Sequence, residues 1–295
     1  MKQLKTRIFI VFAAIFIVGL LSSAGATSYG QQRVVLGADL NAEQRLQMLN
    51  DFGLDPGIVP EMQVTIEQER AYLQGLVPDS VIGSRSISSI YIITSPPGSG
   101  LNISINNINW LTEDIYRNAL ITAGITDARV IISAPVPVSG TAALTGIYLA
   151  FEDITGQSLS QEAKIAGIQE AVLTGEIAAF LGDDANITAL MNELKLILDE
   201  VRDMTDAEVR TEIWNLADEF NMGLSSEQVE QILRLARTLQ NLDLDGLQSA
   251  VLAITDGIGR LADAGQAVTG FFSSVGNFFS NVGSSISGFF GRLFG

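Results

Sequence analysis

The sequence predicts an α+β protein: a mixed α/β sheet unit, then an all-α region, then an amphipathic tail. Three observations carry the prediction. Between residues 31 and 156, short β-branched apolar runs alternate with segments of helical period, the pattern of a sheet covered by helices. From 160 to 267 the period is helical throughout. From 270 to 295, paired phenylalanines are set among glycine and serine, with almost no charge.

The chain opens on Lys2, Lys5 and Arg7, followed by 14 apolar or glycine residues from Ile8 to Leu21 and then Ala24-Gly25-Ala26. A basic start, a short apolar core and an A-x-A site define a secretory signal peptide over 1–26, with a mature chain from Thr27. The apolar run is shorter than the ~20 residues that a spanning helix needs. An uncleaved anchor is the alternative, because no charge occurs from 8 to 32.

In the sheet unit, 34–36 reads as a strand, and Asn41 caps a helix with Leu46, Leu49 and Phe52 on one face. Asp55-Pro56-Gly57 is a turn. Residues 62–66 are extended and 67–76 helical. Strands over 86–94 and 101–109 are joined by Pro96-Pro97-Gly98-Ser99-Gly100, which suggests a hairpin. Thr112 caps the next helix, whose first turn holds Glu113 and Asp114, favourable to the helix dipole. Residues 128–133 form a buried strand. Pro135 and Pro137 cannot continue it as a central strand, since each lacks a ladder donor. Ser139 or Thr141 then caps a helix through Ala142, Leu144, Ile147, Tyr148 and Phe151. The order is βαβαββαβα.

Residues 156–160 form a linker. A helix runs over 160–181 and ends at Gly182-Asp183-Asp184; a second covers 185–204. Thr205-Asp206-Ala207-Glu208 is a capping box opening a third, and Ser225-Ser226-Glu227-Gln228 opens a fourth. Asp245-Gly246 precedes a fifth. The stripes Leu190, Leu194, Ile197, Val201 and Val229, Ile232, Leu233, Leu235, Leu239 read as bundle core.

The tail departs from this. No acid occurs after Asp263, and seven of the 14 phenylalanines lie between 271 and 294. At 100° per residue, Phe271, Phe272, Val275, Phe278, Phe279, Val282, Ile286, Phe289, Phe290 and Leu293 fall within about 120°. The Phe-Phe pairs recur at spacings of 7 and 11 residues. Together these complete whole turns of a straight helix, so a flat surface or groove suits the stripe better than a supercoil. A membrane surface or partner helices are the expected contacts.

Three stretches resemble a known family: Ser80-Val81-Ile82-Gly83-Ser84-Arg85-Ser86-Ile87-Ser88-Ser89, Asn106-Asn107-Ile108-Asn109-Trp110, and Ala134-Pro135-Val136-Pro137-Val138-Ser139-Gly140-Thr141-Ala142-Ala143-Leu144-Thr145-Gly146. In this order they are similar to the YpuA-like predicted secreted proteins of Gram-positive bacteria, a domain family of unknown function. The resemblance covers roughly residues 34–184. It implies an exported envelope protein and brings no substrate and no catalytic residues.

Composition closes several chemistries. The chain has no histidine and no cysteine, which excludes His-based triads, thiol nucleophiles, Cys-ligated metals and disulfides. No cofactor is expected. Past the leader, 14 basic residues face 33 acidic ones, a net charge of −19 that repels nucleic acid. Only Lys164 and Lys195 remain as lysines there. Ser139 lacks the flanking glycines of a nucleophile elbow, so capping is its plainer role. Arg85, beside Gly83 at a strand entry, could clamp an oxyanion or pair with an acid. Trp110 is a core candidate, or a stacking platform if it lies at an edge. Asn241-Leu242-Asp243-Leu244-Asp245-Gly246 resembles the start of a calcium loop, but Leu252 stands where a bidentate Glu is needed. A helix cap explains it better.

The expected ligand contacts are Arg85, Ser139 and Thr141, an arginine and a helix N-terminus suited to anions. Three functions compete: a non-enzymatic envelope binding protein, a hydrolase working through carboxylates alone, and a structural protein that self-assembles through its tail. Binding is the preferred reading.

Overall fold

The computed structural model describes residues 29–75 and 82–262. The expected signal peptide over 1–26 and the expected tail stripe from Phe271 to Leu293 lie outside the described residues. The sheet unit comprises β1 (Gln32–Gly37), α1 (Ala42–Asp51), β2 (Glu61–Val64), α2 (Ile66–Leu73), β3 (Ser89–Thr94), β4 (Leu101–Ile108), α3 (Glu113–Thr122), β5 (Ala128–Val138) and α4 (Thr141–Thr155). That is the expected βαβαββαβα order. Helices α5 (Gln161–Leu181), α6 (Asp184–Leu196), α7 (Asp206–Glu219), α8 (Ser226–Leu239) and α9 (Leu244–Ala262) follow.

The five strands form one mixed sheet, ordered β2-β1-β3-β5-β4. The expected hairpin of β3 and β4 is absent: β5 lies between them, antiparallel to β3 and parallel to β4. Burial explains the insertion. Ala128, Val130, Ile132, Ser133 and Ala134 of β5 are buried, as a central strand requires. β4 exposes Asn102, Asn106 and Asn107, which suits an edge. Asp127 holds the crossover open: its Oδ1 accepts from Gly100 N–H at 2.9 Å and its carbonyl from Ser95 N–H at 3.1 Å. β5 runs on to Val138, five residues past the expected end. Its pairing with β3 nevertheless stops at Ser133, so Pro135 and Pro137 lie where β3 asks for no ladder donor.

Alternation assigns the faces. Val34, Leu36 and Tyr91 pack under α1 with Met48, Leu49 and Phe52. Val35, Ile90, Ile92, Val130 and Ile132 point the other way, into a core shared with α2, α3, α4 and the helices beyond. α4 packs on the sheet at Gly146, where a Cβ would make ordinary contact with Ile90 at 3.5 Å and Val35 at 3.6 Å. The core is continuous from Val35 to Val251.

Leu46 does not join its predicted partners; it is 56% exposed. At 100° per residue it lies roughly 110° from the mean direction of Met48, Leu49 and Phe52. Arg45, on the buried side, pairs instead with Glu61 of β2. Leu46→Gln is therefore expected to change unfolding free energy by no more than about 0.5 kcal/mol. A chemical denaturation curve checks this; a loss above 1 kcal/mol would place Leu46 in the core.

Local capping follows the sequence. Asn41, Thr112, Ser160, Thr205 and Ser225 each accept a first-turn N–H, with full capping boxes at Asn41, Thr205 and Ser225. Three starts or ends differ. α6 stops at Leu196, and 197–204 is a series of turns. α9 begins at Leu244, before Asp245, and Asp243 accepts from Gly246 N–H at 3.2 Å, a capping contact. Neither Ser139 nor Thr141 caps α4. The cap position is Gly140, at φ +92°, with no side-chain bond to the helix.

Candidate functional site

The C-terminal end of β5 and segment 82–88 before β3 face each other across a cavity of about 430 Å³. Gly140 shapes one wall. Its φ of +92° belongs to the region that favours glycine. A Cβ there would come within 2.3 Å of the Tyr116 hydroxyl and 2.6 Å of Ile108 Cγ2. Tyr116 Oη donates to the Gly140 carbonyl at 2.5 Å. The turn into α4 is thus held rigidly, and the first residues of the helix border the cavity.

Segment 82–88 is tied down on its far side. Ser86 N–H donates to Asp39 Oδ2 at 2.7 Å, Arg70 donates to the Gly83 carbonyl at 2.7 Å, and Asp39 N–H donates to the Ser86 carbonyl at 3.0 Å. Gly37 permits the approach, because a Cβ would lie 2.4 Å from the Ser86 oxygen.

Arg85, Ser139 and Thr141, from two distant stretches, all line this one cavity. Arg85 is exposed, and its guanidinium donates to the Asp39 carbonyl at 3.1 Å. Among the described residues it makes no ion pair. The Ser139 and Thr141 hydroxyls are 3.4 Å apart. Trp110 is half-buried at the cavity and packs toward α5, where Gly175 makes room: a Cβ there would lie 3.2 Å from the indole. Sequence reasoning missed Ser88. It is 4% exposed, lines the cavity, and its hydroxyl has no hydrogen-bond partner. Its only signal was membership in the serine-rich stretch that carries the family resemblance.

The titratable groups fall elsewhere. Glu69 on α2 is fully buried, and burial pushes its carboxyl up to about 7; Asp39 adds to the rise, while the Ser86 hydroxyl and Arg70 offset part of it. Its two oxygens have no hydrogen-bond partner of good geometry. Glu193 on α6 is likewise raised to about 7 by burial, with Glu219 adding to it. Neither carboxyl lines the cavity. Both lysines of the described region are in ion pairs. Lys164 meets Glu152 at 2.9 Å and lies 5.4 Å from the Tyr72 ring centre, joining α2, α4 and α5. Lys195 meets Glu170 at 2.7 Å, with Thr122 on the other carboxylate oxygen, joining α3, α5 and α6. Among the described residues, no cluster of three or more acids is placed to hold a metal ion, and no helix is long and apolar enough to cross a membrane.

The molecule so built is an α+β protein with a preformed cavity in which Arg85 is the one ionisable side chain among the described lining residues. Residues 36–252 match the family described as protein of unknown function (DUF1002), and the chain belongs to that family. The match reaches well past the stretch of clear sequence resemblance and takes in most of the helical half. The chain is 34% identical over 247 residues to the uncharacterized protein YpuA of Bacillus subtilis (strain 168), covering 83% of this chain and 84% of that one. No solved structure matches it.

Proposed function

We propose that this is an exported cell-envelope protein that acts by binding rather than by catalysis, with the cavity at Arg85, Ser139 and Thr141 as its ligand site. The observation that carries the reading is the cavity itself. It gathers arginine, hydroxyls and a helix N-terminus from two distant parts of the chain, and no carboxylate of the described residues lines it. The rival reading, hydrolysis by two carboxyls, needs an acid of raised pKa exposed to substrate. Glu69 has the pKa and an acidic neighbour in Asp39, but it is sealed from solvent.

Export is supported by the basic start, the apolar run and Ala24-Gly25-Ala26. The tail is proposed to contact the membrane surface or partner helices. Six glycines from 270 to 295 disfavour an isolated helix, each by about 1 kcal/mol relative to alanine. Burying each of seven phenylalanines is worth roughly 1.5–3 kcal/mol, which outweighs that cost once an apolar surface is present. Arg292 is the only base of the tail, so binding depends weakly on salt.

The test is fractionation of the exported protein, with intact mass and liposome co-sedimentation. The expected results are a chain beginning at Thr27, recovered with the envelope, and vesicle binding that is lost when 271–295 is deleted. A mass that retains the leader would make the protein an anchored one. Equal sedimentation of both forms would move the tail onto the protein's own helices. Size that grows with concentration and reverts on deletion would favour self-assembly.

A further inference from the structure

The binding reading leaves the chemistry of the ligand open; resting on that reading, we propose that the cavity selects an acidic amphiphile, a carboxylate or phosphate group joined to a small apolar or ring body. Four observations converge on this.

The first is the sign of the charge. The mature chain carries −19, with 33 acids, yet among the described residues the cavity wall holds one cation and no acid. A cation standing alone at the mouth of a concave site attracts anions locally, against the field of the whole protein.

The second is the start of α4. This 15-residue helix has no side chain accepting from its first-turn N–H groups, and Thr141 and Ala142 border the cavity. Ala143 N–H is taken by the Gly140 carbonyl at 3.1 Å; the Thr141 and Ala142 N–H groups ahead of it and the positive end of the helix dipole favour an oxyanion. Gly140 and Tyr116 hold that end in place, so binding requires little rearrangement.

Ser88 is the third observation and is independent of the helix. A hydroxyl that is nine-tenths buried normally has a partner, and leaving one unmade costs free energy. Ser88 is 4% exposed, lines the cavity and has no partner. The oxygen itself is closed in, so an acceptor seated in the cavity supplies its partner once the side chain turns toward the space that Ser88 lines.

Size is the fourth. At about 430 Å³ the space falls in the range of small-molecule sites and far exceeds what an oxyanion fills. Ile82, Ile87, Trp110 and Val138 provide an apolar wall for the remainder of the ligand. The indole of Trp110 suits a flat or ring-shaped body.

The probes are phenylacetate, phenyl phosphate and neutral phenylacetamide, titrated at constant ionic strength into the mature protein by calorimetry. Calorimetry needs no substitution. A parallel fluorescence titration uses Trp214→Phe, which leaves Trp110 as the sole tryptophan of the two in the chain and reports on the cavity directly. The expected result is saturable binding of at least one anion, about 10-fold or more tighter than phenylacetamide, with a change in Trp110 emission. Preference between the two anions separates a phosphate source from a carboxylate source. Arg85→Ala and Ser88→Ala are each expected to weaken the preferred anion about 10-fold, the scale of a lost charge-assisted hydrogen bond. Neither should lower the melting temperature: Arg85 is exposed, and Ser88 loses only an unpartnered hydroxyl. Equal affinity for all three probes would overturn the anion inference and leave the binding site standing. The absence of a saturable response to any of them would overturn both.

Discussion

Lys195→Met is expected to destabilise the protein by about 3–5 kcal/mol, the cost of leaving a buried charge without its partner. Lys195 is fully buried and Glu170 is 1% exposed, with Nζ and Oε1 2.7 Å apart. The pair sits where α3, α5 and α6 meet, and Thr122 donates to the second carboxylate oxygen. The neighbouring Tyr148 hydroxyl is buried without a partner; burial, reinforced by the Glu170 charge, raises it far above the ordinary tyrosine range. Once the ammonium is gone, Glu170 keeps only the Thr122 hydroxyl as a hydrogen-bond partner among the described residues, so it stays as an unpaired buried charge or takes up a proton, and either costs stability. The double variant Lys195→Met with Glu170→Leu removes both charges, and apolar replacement of a buried pair is often neutral or better. It is expected to recover most of the loss. Urea unfolding of the wild type, the single and the double variant forms the cycle. A single-variant cost below 1 kcal/mol would mean that water reaches the pair. The result matters beyond stability, because this pair holds the helical half against α3, whose Tyr116 holds Gly140 at the cavity.

Glu69→Gln is expected to flatten the pH dependence of stability. The carboxyl of Glu69 titrates near 7 in the folded protein, against an ordinary value of 4.5. Between those values the folded state holds a proton that the unfolded state has released. Stability therefore falls as pH rises through that window, and the loss is complete above about 7. At about 1.4 kcal/mol per pH unit, the ceiling is roughly 3 kcal/mol. At pH 8 the glutamine variant should be the more stable by about 2 kcal/mol, and at pH 4.5 the two should agree within about 1 kcal/mol. Glu193 makes a second contribution of the same sign, also titrating near 7, so Glu193→Gln should remove a further part. Denaturation curves at pH 4.5, 6 and 8 measure the effect. Parallel pH profiles for wild type and Glu69→Gln would show that Glu69 is hydrated. Self-repulsion of the acidic surface acts on both chains alike and drops out of the difference.

Glu69 and Lys195 also mark the boundary of what reading the chain could reach. In sequence they are an acid in an amphipathic helix and one of the last two lysines. Their importance comes from burial and from partners far along the chain: Glu170 lies 25 residues from Lys195, and the Asp39 that raises Glu69 belongs to the turn after β1. Ser88 is a third case. A serine among serines becomes informative only when β3 is placed beside β5 and the hydroxyl is closed in without a partner.

Other features needed no tertiary context. Asn41, Thr112, Thr205 and Ser225 cap their helices as read, because capping joins groups three residues apart and depends on little else. The βαβαββαβα order follows from the change of hydrophobic period between 2 and 3.6, again a local quantity. Arg85, Ser139 and Thr141 were chosen for their chemistry, and the fold brings them to one cavity. The hairpin, the facing of Leu46 and the cap of α4 were decided otherwise. β5 displaces β4 from β3 because a strand buried on both faces gains most at the centre of the sheet, and that gain is summed over contacts distant in sequence. Leu46 points outward because a single helix on that face covers only the arc set by Met48, Leu49 and Phe52. Gly140 displaces Ser139 as the cap residue because Tyr116 and Ile108, more than 20 residues away, leave no room for a side chain there. Local hydrogen bonding and periodicity act within one or two turns of the chain and can be read along it, whereas pairing order, burial and the space left for a side chain depend on neighbours that only folding brings together.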